Sequence, residues 1–566
     1  MTAYACRMRT LALLGALLFA AFSAQAQTLS LSITLDHVVD PALPFPVTVT
    51  AFNDSAVAGA DVLLTIDLTN VDAVANLPAG CMATSGHVTC SLDTLPAHSR
   101  RAIAFQAIAP DASAVHIDTT AEVRASASGS TRRTTESSRT FTTFFVTNTD
   151  DSGSGSLRAA IESANASCTK DDLCKIAFRI PPGDAKWVTI RTVTPLPVIT
   201  GRRLFVDGRT QTRYFGDSNP SGPEVELNGS ALDAGSGLQS ESGCLFTIRA
   251  LTINGFPEAG IVIHSAPCAD PIEFHLEHGI TSCYLGVDPT GSSAVPNGRG
   301  AIIGAPGWTI DGNVIGGNRR SGLWIDGRTL IVGNIIGLNP DKTAPLGNGA
   351  SGIYVSAFGA GTDINDNFIG FNHHAGVSVD RAAYAVALSG NSIQANEGLA
   401  IDYGLDGPTS PTTIFTIYPR VVPGDPIGPK GIVNRPEITS AVYDAAKNQT
   451  TIEGTVGFSS PGSYETDYAI NVYANDAPDP SGFGEGQYFL GIVSLGSGGS
   501  LRNQMPFKFV WPGRPPGPWI AATATAHWFY FPPAPVIIRA TGLLLCDDCS
   551  GTTTTTEFSR TVRIAE

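Results

Sequence analysis

Apolar and polar residues alternate in short runs along the first part of the chain, as in PVTVTAF from Pro46, DVLLTIDL from Asp61 and RAIAFQAIA from Arg101. A period of two sends successive side chains to opposite faces of a strand, so residues 27–143 are expected to form an antiparallel sandwich. The pattern changes abruptly at VTNTDDSGSGSLRAAIESAN, residues 146–165. Leu157, Ala160, Ile161 and Ala164 fall at i, i+3, i+4 and i+7, one face of a short helix, and Ser156 stands ready as its N-cap. A helix of fewer than about 12 residues is marginal alone, so its apolar face must cover something, and the open end of a β-structure is the natural candidate.

Beyond this helix the hydrophobic pattern repeats. TIDGNVIGGN from Thr309, LIVGNIIGLN from Leu330, DINDNFIGFN from Asp363 and ALSGNSIQAN from Ala387 superimpose without gaps, followed by the short strands SGLWID, SGIYVS, AGVSVD and EGLAID. The first asparagine recurs at Asn313, Asn334, Asn367 and Asn391, at intervals of 21, 33 and 24 residues, the long interval holding the extra loop PDKTAPLGNGA. A repeat of about two dozen residues, built of short strands with Gly and Asn at the corners, is one turn of a parallel β-helix. Equivalent residues then stack about 4.8 Å apart. Asn313, Asn334, Asn367 and Asn391 are expected to form one amide ladder, and Asn318, Asn339, Asn372 and Asn396 a second. A degenerate copy, GITSCYLGVD, places Cys283 and Asp288 in the two asparagine columns.

Alternation also assigns the faces of the strand after each corner. Leu323 and Ile325, Ile353 and Val355, Val377 and Val379, and Leu399 and Ile401 are expected to point inward. Val262, Ile302, Trp324, Tyr354, Ser378 and Ala400 then make one outward column, with His264, Gly304, Asp326, Ser356, Asp380 and Asp402 beside it.

Composition narrows the function classes. Of 566 residues 60 are Gly, 38 Pro and 15% charged, which suits several β-rich domains. A net charge of −15 argues against nucleic acid as a partner. Arg7 and Arg9 precede the apolar run TLALLGALLFAAF, and AQA ends at Ala26, so residues 1–26 read as an export signal. No later apolar stretch is long enough to span a bilayer, so no transmembrane segment is expected once the signal is removed. In an oxidising compartment Cys81 with Cys90, Cys168 with Cys174, and Cys546 with Cys549 are local disulfide candidates. Cys244, Cys268 and Cys283 have no assigned pairing. No His accompanies the pairs at ligand spacing, and no motif implies a metal or cofactor.

Several of these stretches carry a family resemblance. VTNTDDSGSGSLRAAIESAN, with GSLRAA in place of the name-giving hexapeptide, resembles the opening motif of CSLREA-type exported bacterial parallel β-helix proteins. IAFRIPP and VDGRTQTRYFGDSNPSGPEVELNGS fit that family's first coils, and the paired YLGVDPTGSSAVPNG and IIGLNPDKTAPLGNG its loop-bearing turn. LPAGCMATSGHVTCSLDTLPAHSRRAIAF resembles the Ig-like conserved-repeat sandwiches of bacterial surface proteins. NRPEITSAV and YANDAPDPSGFGEGQYFLG resemble the sandwich that closes such chains. The resemblance implies an all-β chain of the pectin-lyase-like type: a signal peptide (1–26), an Ig-like sandwich (27–143), a right-handed parallel β-helix with a helical cap (144–430) and a C-terminal Ig-like sandwich (431–566). It also implies a bacterial protein that is secreted or displayed on the cell surface.

Fold alone does not carry function. Polygalacturonase-like catalysis needs carboxylates converging with a His and a basic residue, yet the chain contains no GHG and no RIK. LWIDG has Gly327 where a pectate lyase would place its His. A polysaccharide lyase or glycoside hydrolase thus rests on fold analogy, and a purely structural surface protein is a further alternative. The residues favour binding or adhesion: Trp324 and Tyr354, with Asp326, Asp380 and Asp402 beside them, can stack on a sugar and bond its hydroxyls. The expected partner is a polysaccharide or another cell-surface ligand, with the loops DPTGSSAVPNGR and NPDKTAPLGNGA walling the strip. His373 and His374, at a turn, read as a solvated pair.

Overall fold

A computed structural model describes residues 28–126, 129–169, 172–241, 246–264, 279–383, 385–405, 435–456, 465–496, 505–529, 552–555 and 559–565. The expected export signal and Cys244, Cys268, Cys546 and Cys549 lie outside these residues. Among the described residues there are 42 strands and two helices. They form two compact units, the first ending at Phe141 and the second beginning at Thr142.

In the first unit, sheets of four and six mainly antiparallel strands enclose one core. The alternation around Pro44–Asn53 sends Val47, Val49 and Ala51 inward, where they meet Leu64, Ile66, Val88, Ile117 and Val123 of the other sheet. Cys81 and Cys90 face each other across a hairpin and form a disulfide. Ser85 and Gly86, both with positive φ, make its two-residue turn, the geometry that matches strand twist.

In the second unit the chain winds through three parallel sheets of nine, eight and seven strands, paired coil upon coil in the manner of a parallel β-helix. The strand Thr142–Val146 pairs with Cys174–Phe178 as the first rung of the nine-stranded sheet, so the second unit starts ahead of the boundary expected at residue 144. Strands three residues long suffice because both ends turn a corner, and the residue before each asparagine of the first ladder makes that corner left-handed. Gly312, Gly333 and Gly390 have φ of 62°, 66° and 67° there, and Asp366 has 56°. Gly and Asp tolerate this region best, which is why the repeat is spelled GN or DN.

The two ends of the coil stack are closed differently. At the start, the helix Leu157–Ser167 buries Leu157, Ala160, Ile161 and Ala164 against Val146, Ile176, Phe178 and Ile199. Ser156 Oγ accepts from the Ala159 amide at 3.2 Å as N-cap. Cys168 at the helix C-cap is disulfide-bonded to Cys174, the first residue of the next strand, which staples cap to coil.

At the other end, a three-stranded and a five-stranded sheet from residues 437–563 enclose their own core. They belong to the same compact unit as the coils. Tyr473 and Ala521 of these sheets join the core of the stack, and Ile393 and Gly486 exchange backbone bonds of 2.8 and 2.9 Å across the junction.

Candidate functional site

The outward strip lies on the seven-stranded sheet. Its register stacks Val262, Ile302, Trp324, Tyr354 and Ser378 in one column, as the alternation implies. The next rung departs from expectation. Asp402, not Ala400, pairs with Ser378, and Ile401 and Tyr403, not Leu399 and Ile401, point inward. The companion column therefore runs Asp326, Ser356, Asp380 and Gly404, each donating its amide to the coil before it. The cause is the corner: Leu323, Ile353, Val377 and Ile401 each follow a buried ladder asparagine by five positions, so the turn sets the strand register and the likeness of EGLAID to AGVSVD misleads.

Trp324 and Tyr354 are half-buried, their ring centroids 4.4 Å apart and their planes tilted by 50°. The guanidinium of Arg299, from the preceding coil, lies 4.8 Å from the Trp324 centroid. Trp324 is thus flanked by Arg299 and Tyr354, and the residue after Tyr354 in the column, Ser378, is buried with its hydroxyl 2.7 Å from that of Ser351. Trp324 Nε1 donates to Asp326 Oδ1 at 2.8 Å, which fixes the indole in place. Burial raises the Tyr354 pKa, and the negative charges of Asp380 and Asp326 and a hydrogen bond with Asp380 add to the rise. Burial and the neighbouring charge of Arg320 lower that of Arg299, with Asp326 opposing them. Arg299 Nε is buried without a hydrogen-bond partner among the described residues. Sequence reasoning passed over Arg299, although NGRG places it at the start of the strand that precedes the tryptophan.

The two long loops sit elsewhere. Pro289 O accepts from Asn219 Nδ2 at 2.8 Å, and a Cβ on Gly291 would come within 2.5 Å of Pro340 and 3.0 Å of Tyr284. Lys342 Nζ lies over the Phe368 ring. Tyr284 and Phe368 belong to the eight-stranded sheet, so the loops pack on each other over that sheet, and the contacts they make do not wall the strip.

The first ladder comprises Asn313, Asn334, Asn367 and Asn391, each Nδ2 donating to the next Oδ1 at 2.9 Å. Cys283 heads the same column and donates its amide to Asn313 Oδ1 at 2.8 Å. Its thiol is free and buried, and burial pushes its pKa up to about 12. The second ladder needs correction. It runs Asn297, Asn318, Asn348, Asn372 and Asn396, with amide–amide bonds of 3.2, 2.9, 2.9 and 2.9 Å. Asn339 is displaced by the loop that follows it; its Oδ1 accepts from Thr343 N and Ala344 N at 2.8 and 2.9 Å. Asp288 clips the companion loop in the same way, through Ser292 N and Ser293 N. The signal for the true rungs was present, since PNG and GNG close the two loops at Asn297 and Asn348.

His373 pairs with Glu397 of the next coil at 2.8 Å. No group of three or more His, Cys, Asp or Glu able to hold a metal occurs among the described residues. No helix among them is long and apolar enough to cross a membrane.

No family model matches the chain, and no curated protein matches it. Among solved structures it is similar to the cohesin module of a family 33 glycoside hydrolase from Clostridium perfringens ATCC13124, at 11% identity over 20% of this chain and 97% of that one, with a TM-score of 0.17. AvmM, which catalyses macrocyclization in alchivemycin A biosynthesis, matches at 13% identity over 20% of this chain and 88% of its own, with a TM-score of 0.16. A β-glucosidase from Listeria innocua matches at 14% identity over 20% and 16%, with a TM-score of 0.12. Likeness of this degree says nothing about activity.

Proposed function

We propose that this chain is an exported bacterial β-helix protein of the CSLREA type, flanked by Ig-like sandwiches, that binds glycan through the strip formed by Arg299, Trp324, Tyr354, Asp326, Asp380 and Asp402. The observation that carries the reading is the half-buried Trp324–Tyr354 pair on adjacent coils, with carboxylates beside it. In this reading a sugar ring would stack on Tyr354 and its hydroxyls would be met by the neighbouring carboxylates, Asp380 foremost. Trp324 acts as the rigid wall behind it. The two disulfides fit an oxidising destination.

Retention on immobilised polysaccharides, with release of reducing or unsaturated ends measured on the same material, tests this. Wild type should be retained without turnover, and Tyr354→Ala should lose a few-fold to about tenfold in affinity, as expected for the loss of a stacking contact of about 0.5–1.5 kcal/mol. Turnover abolished by Asp326→Asn or Asp380→Asn would replace binding with hydrolysis. Retention unaffected by Tyr354→Ala would remove the strip from the site.

A further inference from the structure

The strand that carries Tyr354 leaves the strip through a longer turn than the strand of the preceding coil. Ile325 pairs with Val355, and Leu330 with Asp363, so the four residues 326–329 of one coil are matched by the seven residues 356–362 of the next. The longer turn is tightly bonded. Gly359 N donates to Ser356 O at 2.9 Å, Phe358 N to Ser356 Oγ at 3.2 Å, and Thr362 Oγ1 to Gly359 O at 2.7 Å. A Cβ on Gly359 would come within 2.6 Å of the Val355 side chain and 2.8 Å of Ile325 O, so the turn lies folded against the end of the strand. Phe358 stands on it 79% exposed, more than any other large apolar side chain among the described residues.

The turn itself does not call for an aromatic. The following coil closes on Asp380 in the same way, Ala383 N donating to Asp380 O and Ala382 N to Asp380 Oδ1, both at 2.9 Å, and there Ala382 holds the place of Phe358. A lone exposed apolar residue needs no explanation, but Phe358 follows Tyr354 by four positions on the same coil. Four residues reach no farther than about 14 Å. The two steps from Tyr354 to Ser356 advance about 7 Å along the strand, so the two rings are separate platforms on one track. Asp326 and Asp380 flank Ser356 from the neighbouring coils, in the middle of that track.

We propose that Phe358 is a second sugar-stacking platform, and that the strip takes an internal stretch of a linear polysaccharide, laid along the coil from Tyr354 past Ser356 and its flanking carboxylates to Phe358. The proposal rests on the glycan reading of the strip. A single sugar ring cannot stack on both aromatics, whereas a short run of sugars reaches both and sets its hydroxyls beside Asp326 and Asp380.

Affinities of the full chain for size series of one to six sugars from cellulose, chitin, xylan and laminarin test this. Wild-type affinity for the recognised series should rise with length until both platforms are covered. Phe358→Ala should leave thermal unfolding and affinity for the shortest member unchanged and lose a few-fold to about tenfold on the longest, and Phe358→Trp should restore it. Tyr354→Ala should weaken every length. A loss with Tyr354→Ala but none with Phe358→Ala at any length would overturn the second platform and leave the glycan reading standing, as would a wild-type affinity independent of length or an equal loss with Phe358→Ala at all lengths. Wild type binding no series, or Tyr354→Ala losing nothing, would overturn both.

Discussion

The two ends of the coil stack solve one problem with opposite chemistry. Both must cover a last rung of unpaired backbone and an open apolar core. The first end uses eleven residues adjacent in sequence: the helix Leu157–Ser167 presents an apolar face and is stapled by Cys168–Cys174. The last end uses residues 70 or more positions away, and much of its seal is polar: Ser392 Oγ donates to Gln487 O at 2.6 Å and Ser389 Oγ to Asn471 Oδ1 at 3.1 Å. The buried face of the plug, Leu157, Ala160, Ile161 and Ala164, holds no titratable side chain. A polar seal can exchange its bonds with water and open without dismantling the stack.

This contrast is open to direct attack. Leu157→Asp should have the largest effect, because it places an unpaired carboxylate in the apolar plug: a loss of about 3–5 kcal/mol, seen as lowered thermal unfolding and oligomerisation. A monomer with unchanged unfolding would remove the helix from the role of plug. Tyr473→Ala deletes the large side chain that the C-terminal sheets insert into the stack. It should cost about 3 kcal/mol locally, raising amide exchange at Ile393 while the interior coils stay protected. If the interior coils lose protection equally, the last end is as integral as the first.

Smaller effects separate rungs from clips. Asn348→Leu should destabilise by about 1–3 kcal/mol, since it strands the amides of Asn318 and Asn372, whereas Asn339→Leu should cost less because only a loop is released. Equal denaturation midpoints for the two would reduce the second ladder to turn preference. The smallest effect belongs to Asp151, which braces the plug. Burial raises its pKa, but the Val193 amide, Thr194 and Arg158 outweigh this and hold it below the usual value of 3.8. Its contribution is present above that value and fades as pH falls below it, so Asp151→Asn should flatten the acid limb of the stability curve slightly. An unchanged acid limb would leave the brace without a measurable role.

Much of this was legible because it is local. The helix and its cap follow from Ser156 to Ala164, and the disulfides Cys81–Cys90 and Cys168–Cys174 join close neighbours. The GN corners recur because a left-handed residue is needed at each turn, and the first ladder follows from the GN or DN pair that marks each of its corners. The strip was legible in part: Trp324 and Tyr354 stack because two successive coils keep the same offset from the corner.

What the sequence determined by itself was therefore the content of each coil, since alternation, corner chemistry and capping act over a few residues. Only the tertiary structure decided which coil stacks on which residue. It moved Asp402 into the aromatic column, because register is counted from the buried asparagine at the corner rather than from resemblance between strands. It exchanged Asn339 for Asn348, because a loop that closes on its own first residue leaves the rung to its last. It brought Arg299 over Trp324, and it set Glu485 and Asn396 on one cleft from 89 positions apart. Packing and desolvation are sums over neighbours that the chain brings together only on folding.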